Sequence, residues 1–335
     1  MLKVKGKKVL TSTGQEIRLL GVNRAGLEWD AKDERIIESV KQACDDWKCN
    51  VIRIPVSQDR WFGFAQEQQK DDVSGEKYRK VVDEILEAIH SRGKYMILDL
   101  HWNNMNEWGY NESQHKMPCM NSLLFWKDAA VRYKNHPAVL FSLYNEAHDV
   151  SWDVWKSGGY VTESYDHDDE DGHGTSAEYT YLSPGYQKMV DAVRGVGANN
   201  IVVIGGLDWA FTLEEIMNGY EINDHGGNGI IYDTHIYPWK PLNWDAYIKD
   251  VAEKYPILVG EFGHYGNDAN NPEGPQALPH EEFMPRLLEW IHKNGFHFTA
   301  WVFHPNCGPD MLKNWDNEPT EYFGVYVREY LMGMG

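Results

Sequence analysis

Residues 143–146 read Leu-Tyr-Asn-Glu, and residues 258–263 read Leu-Val-Gly-Glu-Phe-Gly. Each stretch is a run of apolar, β-prone residues that stops at a glutamate. A buried strand normally excludes carboxylates, because an unpaired carboxylate is costly to desolvate. At the carboxyl end of a strand, however, a glutamate can point into a cleft. The two stretches therefore predict two buried strands that bring Glu146 and Glu261 to one site.

Six further apolar runs extend this pattern along the chain, with amphipathic helical patterns between them. The predicted strands cover residues 19–23, 51–55, 95–101, 139–145, 201–205, 229–235, 257–261 and 298–302, and the clearest helices cover residues 78–92, 123–133, 184–196, 281–293 and 322–331. Apolar strands that alternate with helices are typical of a parallel sheet covered by helices. Eight such units in 335 residues favour an α/β fold closed into a (β/α)8 TIM barrel. A short β-hairpin is predicted before it, within residues 4–17.

The chain has no tandem repeat, linker or low-complexity tail, so we expect residues 1–335 to form one barrel domain. Its main insertion, residues 152–181, follows the fourth strand, and we expect an acidic loop there. Residues 166–171 read Asp-His-Asp-Asp-Glu-Asp. A solvated loop and a calcium site are both open for this run, although its spacing does not fit an EF-hand.

The amino-acid composition limits the classes of molecule that this chain is expected to bind. The net charge is -19, from 51 acidic and 32 basic residues. Such a field repels nucleic acid and anionic membranes but not a neutral polymer. The 14 Trp and 19 Tyr residues indicate a cleft that stacks on rings. No apolar run reaches the roughly 18 residues of a membrane span. The first residues lack a signal peptide's apolar segment, so the protein is either intracellular or given in its mature form.

The four cysteines, Cys44, Cys49, Cys119 and Cys307, lack the CxxC spacing of a zinc site or redox pair. Cys119 and Cys307 fall in loops that are predicted to lie on the same face of the barrel. A disulfide between them and two ordinary thiols are both open.

Polar and aromatic residues stand at the carboxyl ends of the predicted strands, where the active sites of such barrels lie. In chain order they are Arg53, His101, Asn145, Glu146, His235, Tyr237, Glu261 and Trp301. Chance can place one such residue, but the whole set indicates a site. Two facing glutamates can protonate and attack a glycosidic bond. Metal binding by His101 and His235 is the competing hypothesis, and we expect no metal because no His-x-His ends the first strand.

This ordered set resembles glycoside hydrolase family 5, whose framework is an Arg, a His, an Asn-Glu pair, a His-x-Tyr, a second Glu and a Trp. The resemblance extends from Arg53 to Trp301. It implies that Glu146 is the acid/base and Glu261 the nucleophile. It also implies that Asn145 hydrogen-bonds the 2-hydroxyl of the sugar in the −1 subsite.

The same resemblance suggests roles for the remaining residues. Arg53 and Tyr237 would hold Glu261 ionised, so we expect Glu146 to keep its proton longer than Glu261 does. Trp301 would stack on the −1 sugar, and His101 and His235 would line the subsites on either side of the scissile bond. Further stacking candidates, for which packing is an open alternative, are Trp29, Trp102, Trp108, Trp209, Trp239 and Trp315. Trp29 is favoured because residues 26–29 resemble a sugar-stacking loop of bacterial cellulases.

From this resemblance we predict a secreted, endo-acting endo-β-1,4-glucanase (cellulase) that cleaves β-1,4-glucan chains by a retaining double displacement. We expect a β-linked polysaccharide as its partner, no cofactor and a monomer. A β-mannanase or xyloglucanase on the same framework is the alternative among enzymes. A non-catalytic carbohydrate-binding barrel is the alternative from another class.

Overall fold

Thirteen strands appear in the computed structural model, which describes residues 1–32, 34–168, 174–266 and 276–333. They are β1 (Lys3–Lys5), β2 (Lys8–Leu10), β3 (Glu16–Ile17), β4 (Leu20–Asn23), β5 (Val51–Ser57), β6 (Tyr95–Trp102), β7 (Val139–Ser142), β8 (Gly159–Asp168), β9 (Gly174–Ser183), β10 (Val202–Gly205), β11 (Ile230–Ile236), β12 (Ile257–Phe262) and β13 (His297–Ala300). Strands β4–β7 and β10–β13 pair in parallel, and β13 pairs with β4 to close a barrel. The predicted (β/α)8 barrel is confirmed.

Ten α-helices accompany the strands in the described part of the chain. They are α1 (Ile36–Asp45), α2 (Gln58–Phe62), α3 (Gln66–Lys70), α4 (Gly75–His90), α5 (Met120–Tyr133), α6 (Trp152–Ser157), α7 (Gly185–Gly195), α8 (Asp245–Ala252), α9 (His280–Asn294) and α10 (Gly324–Leu331). The long helices bury an apolar stripe against the outside of the barrel; in α4 this stripe includes Val82, Ile85 and Ile89. None of the helices in these described ranges is long and apolar enough to cross a bilayer.

Side chains alternate between the two faces of each strand, and this alternation fills the barrel in layers. Along β5, Val51 belongs to the inner apolar cluster and Ile52 to the outer core beneath the helices. Arg53 is the next inward-facing residue, and it is fully buried. An apolar layer therefore lies at the amino-terminal end of the barrel, with charged side chains above it, towards the carboxyl ends of the strands.

A three-stranded antiparallel sheet, β1–β2–β3, precedes the barrel. Leu2 and Val9 are buried in the inner cluster with Val51, and the Val4 N–H donates to Asn228 O at 2.7 Å. The sheet therefore closes the amino-terminal end of the barrel. The predicted hairpin is confirmed, with β3 as an added third strand.

The insertion after the fourth barrel strand differs from the expected acidic loop. It contains α6 and an antiparallel hairpin in which β8 pairs with β9 from Gly159↔Ser183 to Asp168↔Gly174. Alternating Tyr, Val and Thr residues suit strands, and the Thr162 and Thr180 hydroxyls lie 2.7 Å apart across the pair. The acidic composition hid this alternation. Part of the suggested calcium run, residues 169–171, lies outside the described residues.

The suggested Cys119–Cys307 disulfide is wrong, because all four cysteines are free thiols. Cys119 is buried just before α5, where the Gln58 side-chain amide donates to its Sγ at 3.4 Å. Cys307 is half-buried beside Trp301. The two loops do share the upper face of the barrel, but each thiol packs against its own surroundings.

Candidate active site

The eight strand-end residues converge at the carboxyl end of the barrel, as their positions predicted. Arg53, His101, His235 and Glu261 lie on β5, β6, β11 and β12 themselves. The other four follow a strand end: Asn145 and Glu146 after β7, Tyr237 after β11 and Trp301 after β13. Strand β7 ends at Ser142, three residues before Asn145, so the chain has already left the barrel wall where it presents this pair.

Glu261 is held by two donors from the barrel. Arg53 Nη1 donates to its Oε1 at 2.7 Å, and the Tyr237 hydroxyl donates to its Oε2 at 2.9 Å. Its side chain is 5% exposed. Glycine is required immediately before it, because a Cβ on Gly260 would lie 2.3 Å from Asp233 Oδ1. Glu261 is thus a buried carboxylate with one cation and one hydroxyl fixing its two oxygens.

Arg53 joins several strands through one guanidinium. Besides Glu261, it donates to Asn23 Oδ1 at 2.9 Å and to Asn145 Oδ1 at 2.8 Å. Its Nη2 also lies 2.9 Å from Asp99 Oδ1. All of these groups are buried, so Arg53 compensates two carboxylates in a region of low dielectric.

Glu146 has a less enclosed setting. Its backbone has φ 46°, in the left-handed region that non-glycine residues rarely adopt. This turn directs the side chain across the cleft to His235, whose Nδ1 lies 2.8 Å from Glu146 Oε1. The side chain is 18% exposed, against 5% for Glu261. Solvent and substrate therefore reach Glu146 more readily than Glu261.

His235 is surrounded by carboxylates. Its Nε2 lies 3.3 Å from Asp233 Oδ2, and its Nδ1 lies 2.8 Å from Glu146 and 3.6 Å from Glu261 Oε2. Burial lowers the pKa of His235, but the charges of Glu261 and Asp233 and the hydrogen bonds to Asp233 and Glu146 outweigh it and raise the pKa to about 10. His235 is therefore an imidazolium that donates from both ring nitrogens.

The pKa values of the two glutamates shift opposite to the sequence-based expectation. Burial raises the pKa of Glu146, but hydrogen bonding and charge from His235 outweigh it and lower that pKa overall. For Glu261, burial is the largest cause and raises the pKa, and the charge of Glu146 adds to it against His235 and Arg53. The sequence could not show that His235 lies closer to Glu146 than to Glu261.

His101 and Trp301 form one wall of the cleft. Their rings are stacked, with centroids 5.1 Å apart and planes 8° apart. His101 Nδ1–H donates to Asp99 Oδ2 at 2.8 Å, and the Trp301 indole N–H donates to Gly308 O at 3.2 Å. Burial lowers the pKa of His101, but hydrogen bonding and charge from Asp99 raise it overall. Both rings are therefore fixed before any ligand binds.

A cavity of about 460 Å³ opens above these residues. It is lined by His101, Glu146, Trp209, Tyr237, Trp239, Lys240, Glu261, Tyr265, Trp301, Gly308 and Pro309. Trp239 stacks on Tyr237, with centroids 4.6 Å apart, and Trp209 stacks on His148, with centroids 3.5 Å apart. Two of the suggested stacking candidates, Trp209 and Trp239, therefore reach the cavity.

The other candidate tryptophans lie elsewhere. Trp29 is half-buried and packs against the cluster that contains Trp301, beside the cavity. Trp108 contacts Phe64, with centroids 5.1 Å apart. Trp315 lies under the guanidinium of Arg24. For Trp108 and Trp315 the packing alternative describes these contacts.

Glu146, His235 and Glu261 each place one ligand-type atom within 4.8 Å of the others. This spacing could suit a metal ion, but two cations already occupy the surroundings. Arg53 lies 2.7 Å from Glu261, and the imidazolium of His235 has no lone pair to offer. The donor set therefore suits proton transfer better than divalent cation binding.

Several supporting residues were missed by the sequence analysis. Asp99 and Asp233 precede His101 and His235 by two positions, so they share a strand face, and this i, i+2 spacing could have revealed them. Asn23 on β4 also belongs to the network around Arg53. Gln114, in the loop after β6, contacts Asn145, and no strand-end pattern marks it.

Comparison with known proteins agrees with this arrangement. Residues 10–307 match the family model "Cellulase (glycosyl hydrolase family 5)". An endoglucanase from Paenibacillus polymyxa is 25% identical over 94% of this chain and 84% of its own length. Endoglucanase A from Butyrivibrio fibrisolvens is 22% identical over 78% of this chain, and the match spans only 52% of that protein.

Solved structures share the fold. The native form of a β-glucanase from Saccharophagus degradans has a TM-score of 0.77 at 22% identity and covers 99% of this chain and 93% of its own. The catalytic domain of a Thermobifida fusca endoglucanase has a TM-score of 0.68 at 17% identity, with 99% and 97% covered. With the family model matching most of the chain, this protein belongs to the cellulase family, glycosyl hydrolase family 5.

Proposed function

We propose that this protein is an endo-acting β-1,4-glucanase that works by a retaining double displacement, with Glu261 as nucleophile and Glu146 as acid/base. The observation that carries the proposal is the distance between the two carboxyl groups, since an oxygen of each lies within 4.8 Å of the other. Retaining glycosidases place these groups about 5–5.5 Å apart, whereas inverting enzymes leave about 6.5–9.5 Å for a water molecule. Family membership supports the same reaction class.

In the first step, Glu261 attacks the anomeric carbon of the sugar in the −1 subsite and forms a covalent glycosyl-enzyme. Arg53 and Tyr237 fix both of its oxygens, so little reorganisation is needed as the bond forms. Glu146 donates a proton to the leaving oxygen. His235 is hydrogen-bonded to Glu146 and supports this donation. Although Glu146 alone is a weak base, Glu146 and His235 together hold a proton at the site.

In the second step, Glu146 removes a proton from water, which attacks the glycosyl-enzyme and releases Glu261. Glu261 is esterified at this stage and carries no charge. Its electrostatic effect on Glu146 is therefore absent, which favours the ionised, basic form of Glu146. The 18% exposure of Glu146 gives water access to the side that needs it.

The remaining residues would bind the sugar chain. Asn145 would hydrogen-bond the 2-hydroxyl of the −1 sugar, and Trp301, fixed by His101, would stack on that sugar. Trp209 and Trp239 line the cavity and would provide outer stacking surfaces, with Trp29 beside it. Aromatic faces of this kind suit the apolar faces of a β-linked glucan.

Glucan is the substrate that we favour. The named relatives are endoglucanases, and the Saccharophagus β-glucanase has been crystallised with cellotetraose. A β-mannanase or xyloglucanase on this framework remains the alternative among enzymes. We also propose a secreted monomer with a single barrel domain and no cofactor; an extracellular endoglucanase from Xanthomonas campestris is 24% identical.

NMR of the earliest hydrolysis products tests the proposal. With cellotetraose or cellopentaose, the β-anomer of the new reducing end should appear first, and the α-anomer only through mutarotation. An initial α-product would contradict the retaining mechanism. Parallel digestion of manno- and xyloglucan-oligosaccharides identifies the sugar, and no hydrolysis of any of them would favour the non-catalytic carbohydrate-binding barrel.

A further inference from the structure

The loop after β6, residues 103–119, contains one side chain that brackets Asn145. Gln114 Nε2 donates to Asn145 O at 2.9 Å, and Asn145 Nδ2 donates back to Gln114 Oε1 at 2.9 Å. Gln114 Nε2 also lies 3.5 Å from Glu146 O. One amide therefore contacts both the backbone and the side chain of the residue that directly precedes Glu146.

These contacts complete the fixation of the Asn145 side chain. Its Oδ1 accepts from Arg53 at 2.8 Å, so the two ends of the amide are held by different parts of the protein. An amide nitrogen carries two hydrogens. Gln114 binds one of them, and the other faces His101 Nε2 at a long 3.4 Å, next to the cavity. His101 lines the cavity, so a sugar hydroxyl bound beside it can replace that long contact with the Asn145 N–H.

Gln114 is itself supported by the hairpin of the insertion. The next residue, His115, is buried, and its Nε2 lies 2.5 Å from Asn111 O while its Nδ1 lies 3.0 Å from Glu163 Oε1 on β8. Burial raises the pKa of Glu163, but hydrogen bonding and charge from His115 lower it overall. These two buried side chains are in close contact, so replacing one of them leaves the polar atoms of the other without that partner.

Further contacts join the same three segments. The Met117 N–H donates to the Tyr181 hydroxyl on β9 at 3.1 Å, and the His148 N–H donates to Lys116 O at 3.0 Å. The hairpin, the loop that carries Gln114 and the segment that carries Glu146 therefore form one hydrogen-bonded unit beside the cleft.

We propose that Gln114 is a positioning residue that aims the Asn145 amide at the 2-hydroxyl of the −1 sugar, with the His115–Glu163 pair holding Gln114 in place. The inference rests on the proposed function, because it takes the role of Asn145 from there. It assigns to the loop after β6 and to the insertion hairpin a part in transition-state binding that the eight strand-end residues do not include.

Kinetics on two matched substrates test it. One is an aryl β-cellobioside with an activated leaving group, and the other is the same compound without the 2-hydroxyl on the −1 sugar. Gln114→Met keeps side-chain length but cannot hydrogen-bond to Asn145. A small misplacement in an active site can cost up to about 100-fold in rate. We expect kcat/KM to fall by about 10–100-fold on the first substrate and less than about 2-fold on the deoxy compound, mainly through kcat.

Two further variants set the scale. Asn145→Ala should lose activity on the hydroxylated substrate and little on the deoxy compound. Gln187→Met removes a matched amide on α7, where Gln187 contacts Asp191 and Asn223, and should leave both rates unchanged. If Gln114→Met does not fold, Glu163→Gln replaces it, since it removes the charge that holds His115 and should show the same selective loss at smaller size.

The outcomes distinguish the positioning role of Gln114 from the proposed role of Asn145. Equal losses on both substrates in the Gln114 variant, or no loss on either, would overturn the positioning role. If Asn145→Ala shows no dependence on the 2-hydroxyl, the proposed role of Asn145 fails first. A selective loss in both variants, with unchanged rates in Gln187→Met, is the result expected from the inference.

Discussion

Glu261 and Glu146 reach the same cleft from differently built supports. Glu261 lies on a barrel strand, is 5% exposed and is fixed by Arg53 on β5 and by Tyr237, which directly follows β11. Glu146 follows β7, has a left-handed backbone and is 18% exposed. Its segment is held by the loop after β6 through Gln114 and Lys116, and that loop contacts the β8–β9 hairpin.

The difference matches what each step of the reaction demands. A nucleophile must meet one carbon atom at one angle, so a rigid barrel wall is a suitable support. An acid/base must exchange a proton with the leaving group and then with water, so it benefits from exposure and from a neighbour such as His235 that can hold a proton. The barrel thus fixes the position of one carboxylate, while inserted segments adjust the surroundings of the other.

Replacing each glutamate in turn should cause the largest losses of activity and should distinguish the roles of the two residues. Glu261→Gly should lose at least about 10⁴-fold in kcat on every substrate, because no covalent intermediate can form. Glu146→Ala should lose about 10²–10⁴-fold on a substrate with a poor leaving group, but far less in the first step with an activated aryl group, which needs little protonation.

The measurement is kcat/KM on an alkyl and on a dinitrophenyl β-cellobioside. Glu214→Ala, at an exposed surface glutamate, serves as the control and should keep full activity. Comparable losses on both substrates in Glu146→Ala would remove that residue from the acid role.

His235→Asn should change the pH dependence of both carboxyl groups. The His235 charge lowers the pKa of Glu261, so its removal should raise that pKa further. Glu261 must be ionised to attack, and activity therefore rises with pH through its pKa. The acidic limb of kcat/KM on an activated aryl cellobioside should therefore move to higher pH.

An exposed histidine provides the control for this shift. His225 pairs with Asp191 at the surface, 2.9 Å away, and His225→Asn should leave the profile unchanged. An acidic limb that stays in place or moves to lower pH in His235→Asn would contradict the electrostatic coupling described for this histidine.

The sequence predicted the residues on the barrel strands around Glu261 better than the inserted segments that support Glu146. Arg53, His101, His235 and Glu261 could be located because apolar strands end at them, and strand ends meet at one face of a parallel barrel. Gln114 could not, because its position depends on the course of a 17-residue loop between β6 and α5 rather than on periodicity. The same holds for the β8–β9 hairpin, whose acidic residues suggested a solvated loop.

The directions of the pKa shifts were also beyond the sequence. Burial raises the pKa of Glu261, while the hydrogen bond and charge of His235 lower the pKa of Glu146; His235 lies 2.8 Å from Glu146 and 3.6 Å from Glu261. Residue types and order identify the members of a site, but such distances follow from the packed structure. The choice between a Cys119–Cys307 disulfide and two ordinary thiols was left open by the sequence for the same reason, because sharing a face of the barrel does not bring two side chains into contact; both residues are free thiols.

A third buried carboxyl group, Glu28, differs from Glu261 in its surroundings and affects the free energy of unfolding. It is 1% exposed, and its Oε2 accepts from the Gly26 N–H at 2.7 Å, but none of the residues that the structure describes forms an ion pair with it like that of Arg53 with Glu261. Burial raises its pKa from 4.5 to about 7, against the opposing charge of His101. The folded protein therefore holds this proton more tightly than the unfolded chain, and the free energy of unfolding falls as pH rises from 4.5 to 7.

Glu28→Gln should remove this cost, since an amide oxygen can still accept from Gly26. Between pH 5 and 8, the free energy of unfolding of the variant should rise relative to that of the wild type, by up to about 3 kcal/mol above pH 7. Thermal unfolding of both proteins across that range measures the difference, in which the other titrating groups cancel. A difference that stays constant with pH would contradict the raised pKa of Glu28.

The identities of the two catalytic carboxylates are tested most directly by azide rescue of Glu146→Ala and Glu261→Gly, with an activated aryl β-cellobioside as substrate. In Glu146→Ala, Glu261 still forms the glycosyl-enzyme, and azide should attack it to give β-cellobiosyl azide. In Glu261→Gly, azide should displace the aryl group in a single inversion and give α-cellobiosyl azide. NMR of the isolated azides distinguishes the anomers. An α-azide from the Glu146 variant and a β-azide from the Glu261 variant would contradict the account.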